Sequence, residues 1–365
     1  MDSENRPPEN RTDETTQNPP TNQPPERAST QPRRRRRWPW VVGGLVALGF
    51  VGLLVTAVVV VAVVAADGGG TAGGPSAIPF DEEYVSGDGT DKVVSIPVEG
   101  VIASGGDAIA GQSSTVTPEG LQDALDQASQ DPDTAAVVLE VNSPGGGVTA
   151  SDEMYRSILE FKEKSNMPVI VSMGDVAASG GYYISAAADE IVANETTLTG
   201  SLGVIISLNN FTELADKYGY KQVVIKSGKF KDIGSSFRDV TREEREIFQS
   251  VIDESYNEFV SVISKGRDLP EKEVREIADG RIYSGRQAKD LDLVDEFGDL
   301  ERAAEIAAEN ANVNDPTVVR YVQTPGFLDL VQARLAPPEP EAIQLIKAAG
   351  IELSPRPMYL YRPGI

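Results

Sequence analysis

The sequence predicts an α/β protein, a parallel sheet with helices on both faces, preceded by one transmembrane helix. Three observations lead there. From about residue 92 onward, short Val- and Ile-rich runs alternate with amphipathic stretches of helical period, and repeated β-α-β order builds parallel sheets covered on both sides. Glycine-rich turns directly follow two of those runs, where a parallel sheet keeps its ligand crevice. Ahead of all this, the 26 residues from Val41 to Ala66 carry no charge.

Taken in order, residues 1–32 are rich in Pro, Asn, Thr, Glu and Gln, and nothing there offsets chain entropy, so a disordered tail is expected. Arg33 to Arg37 form an unbroken basic run, and Trp38 and Trp40 flank Pro39. At ~1.5 Å per residue the apolar stretch reaches about 39 Å as a helix, enough to cross a ~30 Å hydrocarbon core with tilt. Arginines against its start place the tail in the cytoplasm and the rest outside, with tryptophans at the interface. Gly68, Gly69, Gly70, Gly73 and Gly74 then make a tether.

Lys92–Ile102 is β-branched and strand-like. Thr117-Pro118-Glu119 reads as N-cap, first-turn proline and early acid, with Leu121, Leu125 and Ala128 at helical spacing. Ala135–Val141 is a buried strand, and Met154, Ile158 and Phe161 share a face of the next helix. Pro168–Met173 is another short strand. Thr241–Lys265 is a long amphipathic helix carrying Ile247, Val251, Ile252, Tyr256, Phe259, Val260 and Ile263. The expected divisions are a basic cytoplasmic tail 1–37, a transmembrane helix 38–66, a Gly-rich linker 67–90, a folded domain 91–312 and a Pro-rich extension 313–365.

Composition narrows the chemistry. The 365 residues include no cysteine and no histidine, which excludes disulfides, thiolate nucleophiles, His-ligated metals and any Ser-His-Asp triad. Formal net charge is −23. The tail carries six acids against eight arginines, so everything beyond the span is strongly acidic, and such a domain repels nucleic acid. Basic residues comprise 21 Arg and only 12 Lys; this balance suits a protein kept soluble in brine, so a halophilic source is expected.

The two glycine turns are Asn142-Ser143-Pro144-Gly145-Gly146-Gly147-Val148 and Gly174-Asp175-Val176-Ala177-Ala178-Ser179-Gly180-Gly181-Tyr182-Tyr183. Neither matches a nucleotide-binding pattern. Ser179 opens a helix of small residues, and a serine there either caps the helix or acts as a nucleophile beside exposed N–H groups. A serine nucleophile needs a base, and without histidine a lysine of lowered pKa can serve. Lys162, Lys164, Lys265, Lys272 and Lys289 sit in polar helical stretches. A Val-Val-Ile strand leads instead into the cluster holding Lys226, Lys229 and Lys231, among which physical argument alone does not choose.

The stretch D-V-A-A-S-G-G-Y-Y-I-S-A-A-A-D, with S-P-G-G-G-V upstream, resembles the signal peptide peptidase family of Ser-Lys serine proteases. So do T-G-S-L-G-V-I at 199–205, K-S-G-x-x-K-D at 226–232 and G-R-I-Y-S-G-R-Q-A-K-D-L-D-L-V-D-E-F-G at 280–298. The resemblance covers roughly residues 90–310 and is to the shorter, single-domain form of Gram-positive bacteria and archaea. It implies a crotonase/Clp-protease-like fold, an α/β architecture of repeated β-α-β units, in a membrane-docked oligomer. Carried over, Ser179 matches the nucleophile, Lys231 the general base and Ser201 the serine that orients that lysine. The N–H groups of Gly146 and Gly180 match oxyanion donors, and Gly145, Gly147 and Val148 line the substrate strand. The implied activity is hydrolysis of cleaved signal peptides or other hydrophobic peptides, with no cofactor and no metal. The alternatives are another acyl-transfer enzyme on the same fold and a non-enzymatic peptide-binding membrane scaffold.

Overall fold

The computed structural model describes residues 80–104, 115–323 and 356–361. The expected cytoplasmic tail 1–37, the span 38–66, most of the linker and most of the C-terminal extension lie outside these residues. Among the described residues no helix is long and apolar enough to cross a membrane.

The central strands form because their apolar residues alternate between two buried faces. Strands β2 (Lys92–Glu99), β5 (Thr134–Ser143), β7 (Val169–Ala178) and β8 (Glu190–Ala193) pair parallel in that order. On one face Val94, Val137, Leu139 and Val171 pack against Leu121 and Leu125 of α1 (Pro118–Gln130) and against Met154 and Ile158 of α2 (Val148–Ser165). On the other, Val93, Val138 and Ile170 meet Ala303, Ile306 and Ala307 of α8 (Leu300–Ala311). Side-chain period two delivers both faces from the same strands, so helices cover the sheet on both sides as expected. Thr117 caps α1 by accepting from Gly120 N at 3.1 Å, with Pro118 in the first turn.

The sheet extends beyond the expected limits of 91–312. Strand β1 (Asp81–Ser86) pairs antiparallel with β12 (Thr317–Val322), which itself joins β2 in parallel. All six β1 residues are exposed, so its sequence D-E-E-Y-V-S offers no apolar alternation to read. Strand β11 (Glu296–Phe297) closes the far side on β8.

One strand expected to be continuous and one expected glycine turn both feed a second sheet. The Lys92–Ile102 run breaks at Gly100, whose φ is +88°, and continues as β3 (Val101–Ile102). Past β5 the chain turns at Gly145, φ +91°, into β6 (Gly145–Gly147). Left-handed backbone of this kind is open to glycine at little steric cost. The small sheet runs β13 (Met358–Leu360), β6, β3 and β4 (Thr115–Val116). Strand β7 also runs past its expected end at Met173: its last residues, Val176 to Ala178, leave β8 and pair with β9 (Leu198–Gly200), which pairs with β10 (Ile282–Ser284).

Residues 201–241 form a long excursion containing one short helix, α4 (Thr212–Lys217). The expected Val223-Val224-Ile225 strand is not formed: these residues are unpaired, with Ile225 98% exposed and Val223 85% exposed. The long helix α5 (Arg242–Arg267) carries a capping box between Thr241 and Glu244. Its expected apolar stripe is buried only in its last third, at Phe259, Val260 and Ile263, while Ile247 and Val251 remain exposed. Two further helices, α6 (Glu271–Ile277) and α7 (Gly285–Asp290), complete this half.

Candidate active site

Ser179 stands between β7 and α3 (Gly180–Ser185). Its backbone is held at φ +53°, ψ −113°, and its N–H bonds Gly200 O at 2.8 Å. A non-glycine residue held so costs on the order of 1–3 kcal/mol and persists only when its surroundings impose it. The residue is 1% exposed, and among the described residues its Oγ has no hydrogen-bond partner. A capping serine would accept from an N–H in the first turn; Ser179 makes no such bond. A strained, buried and unpartnered hydroxyl is therefore not explained by capping. Leaving it unmade costs about 1–3 kcal/mol.

The glycines of the first turn lie against the residues flanking this serine, a Cβ on Gly145 meeting Gly180 N at 2.4 Å and Ala178 O at 3.1 Å. The position a Cβ would take on Gly180 is 2.6 Å from Ser151 Oγ and 3.1 Å from Gly146 N, so the Gly146 and Gly180 amides are neighbours. A Cβ on Gly146 would meet Ile102 O at 1.8 Å. Only glycine permits this approach of β6 to β3, its neighbour in the small sheet. Gly145 and Gly146 are buried, while Gly147 and Val148 are half-buried at the start of α2. Ser143 braces the turn, its Oγ donating to Gly100 O at 2.6 Å and accepting from Gly145 N at 3.1 Å.

Ser201 is half-buried with φ +50°, its N–H bonded to Arg281 O at 2.7 Å. Lys231 is not part of this cluster. It lies exposed on the turn 228–235 and bonds neither Ser179 nor Ser201 within the chain. The turn does separate the three lysines of the cluster. Lys226 donates to Lys229 O at 2.9 Å and pairs with Asp232. Lys229 pairs with Glu243 at 3.0 Å and lies over the Phe230 ring. Lys231 has no ion pair among the described residues.

One component went unread in the sequence. Strand β13 lies antiparallel on the glycine strand, Tyr359 opposite Gly146, with Tyr361 N bonded to Pro144 O at 2.8 Å. On its other side Met358 and Ile205 exchange both backbone bonds, at 3.0 and 3.1 Å. The space of a Gly145 side chain is taken by the Tyr359 carbonyl oxygen, 2.1 Å away, and by Gly180 N, 2.4 Å away. A peptide carbonyl thus sits beside the Gly180 amide. The Tyr359 ring is fully buried, stacked on Tyr183 at 4.9 Å and tilted against Phe259 at 4.6 Å, and its hydroxyl donates to Ser255 O at 2.8 Å. Burial holds the Tyr359 and Tyr183 phenols above their ordinary range. The only sequence signal for this strand is the apolar turn of the chain end at Met358-Tyr359-Leu360.

Residues 161–314 match the model of a family described as Peptidase family S49. A protein of Enterococcus faecium with the provisional name signal peptide peptidase SppA is 36% identical over 290 residues, covering 77% of this chain and 84% of the relative. A provisionally named protease of Methanocaldococcus jannaschii is 39% identical over 247 residues, 63% of this chain and 79% of the relative. Protease 4 of Haemophilus influenzae is 34% identical over 241 residues, 66% of this chain but 38% of its own length.

Proposed function

The chain belongs to peptidase family S49 and is a serine peptidase, and from that premise we propose that it is a Ser-Lys endopeptidase with Ser179 as nucleophile and Lys231 as general base. The observation that carries this reading is Ser179 itself: a buried hydroxyl on a positive-φ residue, without a partner among the described residues, next to two glycine amides. Ser179 Oγ attacks the peptide carbonyl while neutral Lys231 Nζ takes its proton. The developing oxyanion accepts from Gly146 and Gly180 N–H, each worth about 2.7–4 kcal/mol in comparable enzymes. As the tetrahedral intermediate collapses, Lys231 returns the proton to the leaving amine. Water then attacks the Ser179 ester as the same lysine takes its proton, and that proton passes to Ser179 Oγ as the ester bond breaks and the acid leaves.

With β3 on the other edge of the glycine strand, an extended substrate would take the place of β13, with main-chain pairing for affinity and the pocket vacated by Tyr359 for selectivity. Tyr183 and Phe259 would make that pocket aromatic, in keeping with hydrophobic peptides such as cleaved signal peptides. The fold reading is crotonase/Clp-protease-like. The 38–66 span anchors the protein, with the tail cytoplasmic and the catalytic domain on the outer face.

The exposed position of Lys231 supports its delivery to the serine of a second copy. The excursion that carries it exposes Leu214, Tyr218, Val223 and Ile225, and the following helix exposes Ile247 and Val251. Apolar surface of this extent marks an interface, in keeping with a homo-oligomer. Ser201 would then orient the arriving ammonium.

The test is cleavage of a fluorogenic hydrophobic peptide by the full chain in detergent. Ser179→Ala and Lys231→Met are each expected to lower kcat by at least ~10³-fold with the fold intact; wild-type turnover in either refutes the dyad. Co-assembly of the two inactive variants regains activity if serine and lysine come from different copies, and stays inactive if they come from one.

A further inference from the structure

The turn that carries Lys231 is held by a network that reaches into the start of α5. Arg238 is its hub. Nε donates to Asp232 Oδ2 at 3.1 Å and Nη2 to the Asp232 carbonyl at 2.8 Å. Nη1 donates to Glu244 Oε2 at 2.8 Å and to Asp239 O at 3.1 Å, and Nη2 also bonds the second Glu244 oxygen. The Glu244 side chain is 3% exposed, and it also accepts from Thr241 N at 2.9 Å in the capping box. One guanidinium therefore ties the buried Glu244, in the otherwise exposed first turn of a 26-residue helix, to both the carboxylate and the carbonyl of the residue adjoining Lys231. Short backbone bonds complete the turn: Ile233 N to Phe230 O and Ser235 N to Asp232 O, both at 3.1 Å.

The network also distributes charge. Asp232 is the carboxylate nearest in sequence to Lys231, and Arg238 and Lys226 both occupy it. Glu243 is taken by Lys229 and Glu244 by Arg238. Asp232 on the turn and Glu243 and Glu244 at the start of α5 are thus engaged, and so is Asp239 on the connecting loop, whose carboxylate accepts from Asn210 at 2.8 Å. Among the described residues, Lys231 alone of the turn's cations is left without an anion. Arginine suits the hub because its planar fork can address a carboxylate, a carbonyl and a second carboxylate at once, which an ammonium on a flexible stem cannot.

We propose that Arg238 is a positioning residue for the peptidase reaction: it fixes the turn that presents Lys231 and holds Asp232 away from the Lys231 ammonium. The proposal rests on the reading of Lys231 as base. Without Arg238 the turn loosens, and Asp232 keeps only Lys226 and is free to pair with Lys231. A base displaced by about 1 Å costs on the order of 10²-fold in rate, and an ion pair at Lys231 keeps it protonated to higher pH.

Arg238→Met alone leaves Glu244 buried and unpaired, so the informative variant is Arg238→Met with Glu244→Gln; a Gln at that position still serves the capping box. In the full-length protein, with melting temperature and oligomer size as controls, kcat is expected to fall ~10²-fold with KM within about twofold. The rising limb of the pH profile of kcat/KM is expected to move to higher pH. Adding Asp232→Asn is expected to return the limb toward its wild-type position. A kcat within about threefold of wild type, or an activity loss matched by loss of folded oligomer with the limb unmoved, overturns the proposal. Lys231→Met in the same assay separates the two readings. If that variant is active the base assignment fails, whereas if it is dead and the Arg238 variant is active only the positioning role fails.

Discussion

Replacing Gly146 by alanine tests the proposed oxyanion arrangement most directly, because its neighbour Gly147 supplies an internal control. The Gly146 Cβ would meet Ile102 O at 1.8 Å, Ile102 C at 2.6 Å and Ile102 N at 2.8 Å. All three are backbone atoms of β3, which pairs with β6 at this residue, so no side chain can swing aside. Ordinary contacts to carbon lie at about 3.5–4.0 Å, so the strands must part by roughly 1.5 Å. The Gly146 N–H moves with its strand. A displacement of about 1 Å at a reacting centre costs on the order of 10²-fold, and outright loss of an oxyanion donor costs ~10²–10³-fold. Gly146→Ala is therefore expected to lower kcat on a fluorogenic peptide by ~10²–10³-fold, with a stability loss of about 1–3 kcal/mol from overpacking. Gly147 has φ −64°, and its Cβ would find only Ala150 Cβ, at 3.9 Å, and Ile102 O, at 4.0 Å; Gly147→Ala is expected to keep kcat within about threefold. Equal activities of the two variants, whether both high or both low, would show that the close approach at Gly146 does not set the rate.

Three further expectations follow from other parts of the molecule. Tyr359→Ala removes a fully buried aromatic side chain, a change worth about 3–5 kcal/mol, so hydrogen-exchange protection of Met358–Leu360 and of Gly145–Gly147 should collapse together; unchanged protection would refute the coupling of these strands. Arg238 holds the Glu244 carboxyl at about 2, below its ordinary 4.5, and Asp232 likewise at about 2 from 3.8. Groups with depressed values stabilise the fold above their unfolded pKa and lose that contribution as pH falls through the folded one; melting temperature should therefore drop between about pH 4.5 and 2, and Glu244→Gln should flatten that drop. The acidic, Lys-poor composition predicts unfolding on dialysis into low salt, and full stability in ~0.1 M salt, where the Debye length is about 10 Å, would exclude halophilic adaptation.

The β-α-β order, the Thr117 cap, the alternating core strands and the two glycine turns were all legible in the sequence, because each rests on contacts within a few residues or on a side-chain period of 2 or 3.6. The absence of histidine and cysteine restricted the available bases in the same direct way. Tertiary structure alone decided which glycines are irreplaceable, since Gly146 and Gly147 are identical in sequence and differ only in whether Ile102 lies behind them. It decided that Tyr359 pairs with Gly146 across more than two hundred residues, a pairing that a strand of three glycines cannot announce through any pattern of side chains. It also decided the state of the lysines: Lys226, Lys229 and Lys231 are chemically alike, and their ammonium groups are distinguished only by the acids that folding brings against two of them. Local periodicity writes the elements into the sequence; close approach and charge pairing arise when distant segments meet, and those contacts build the site.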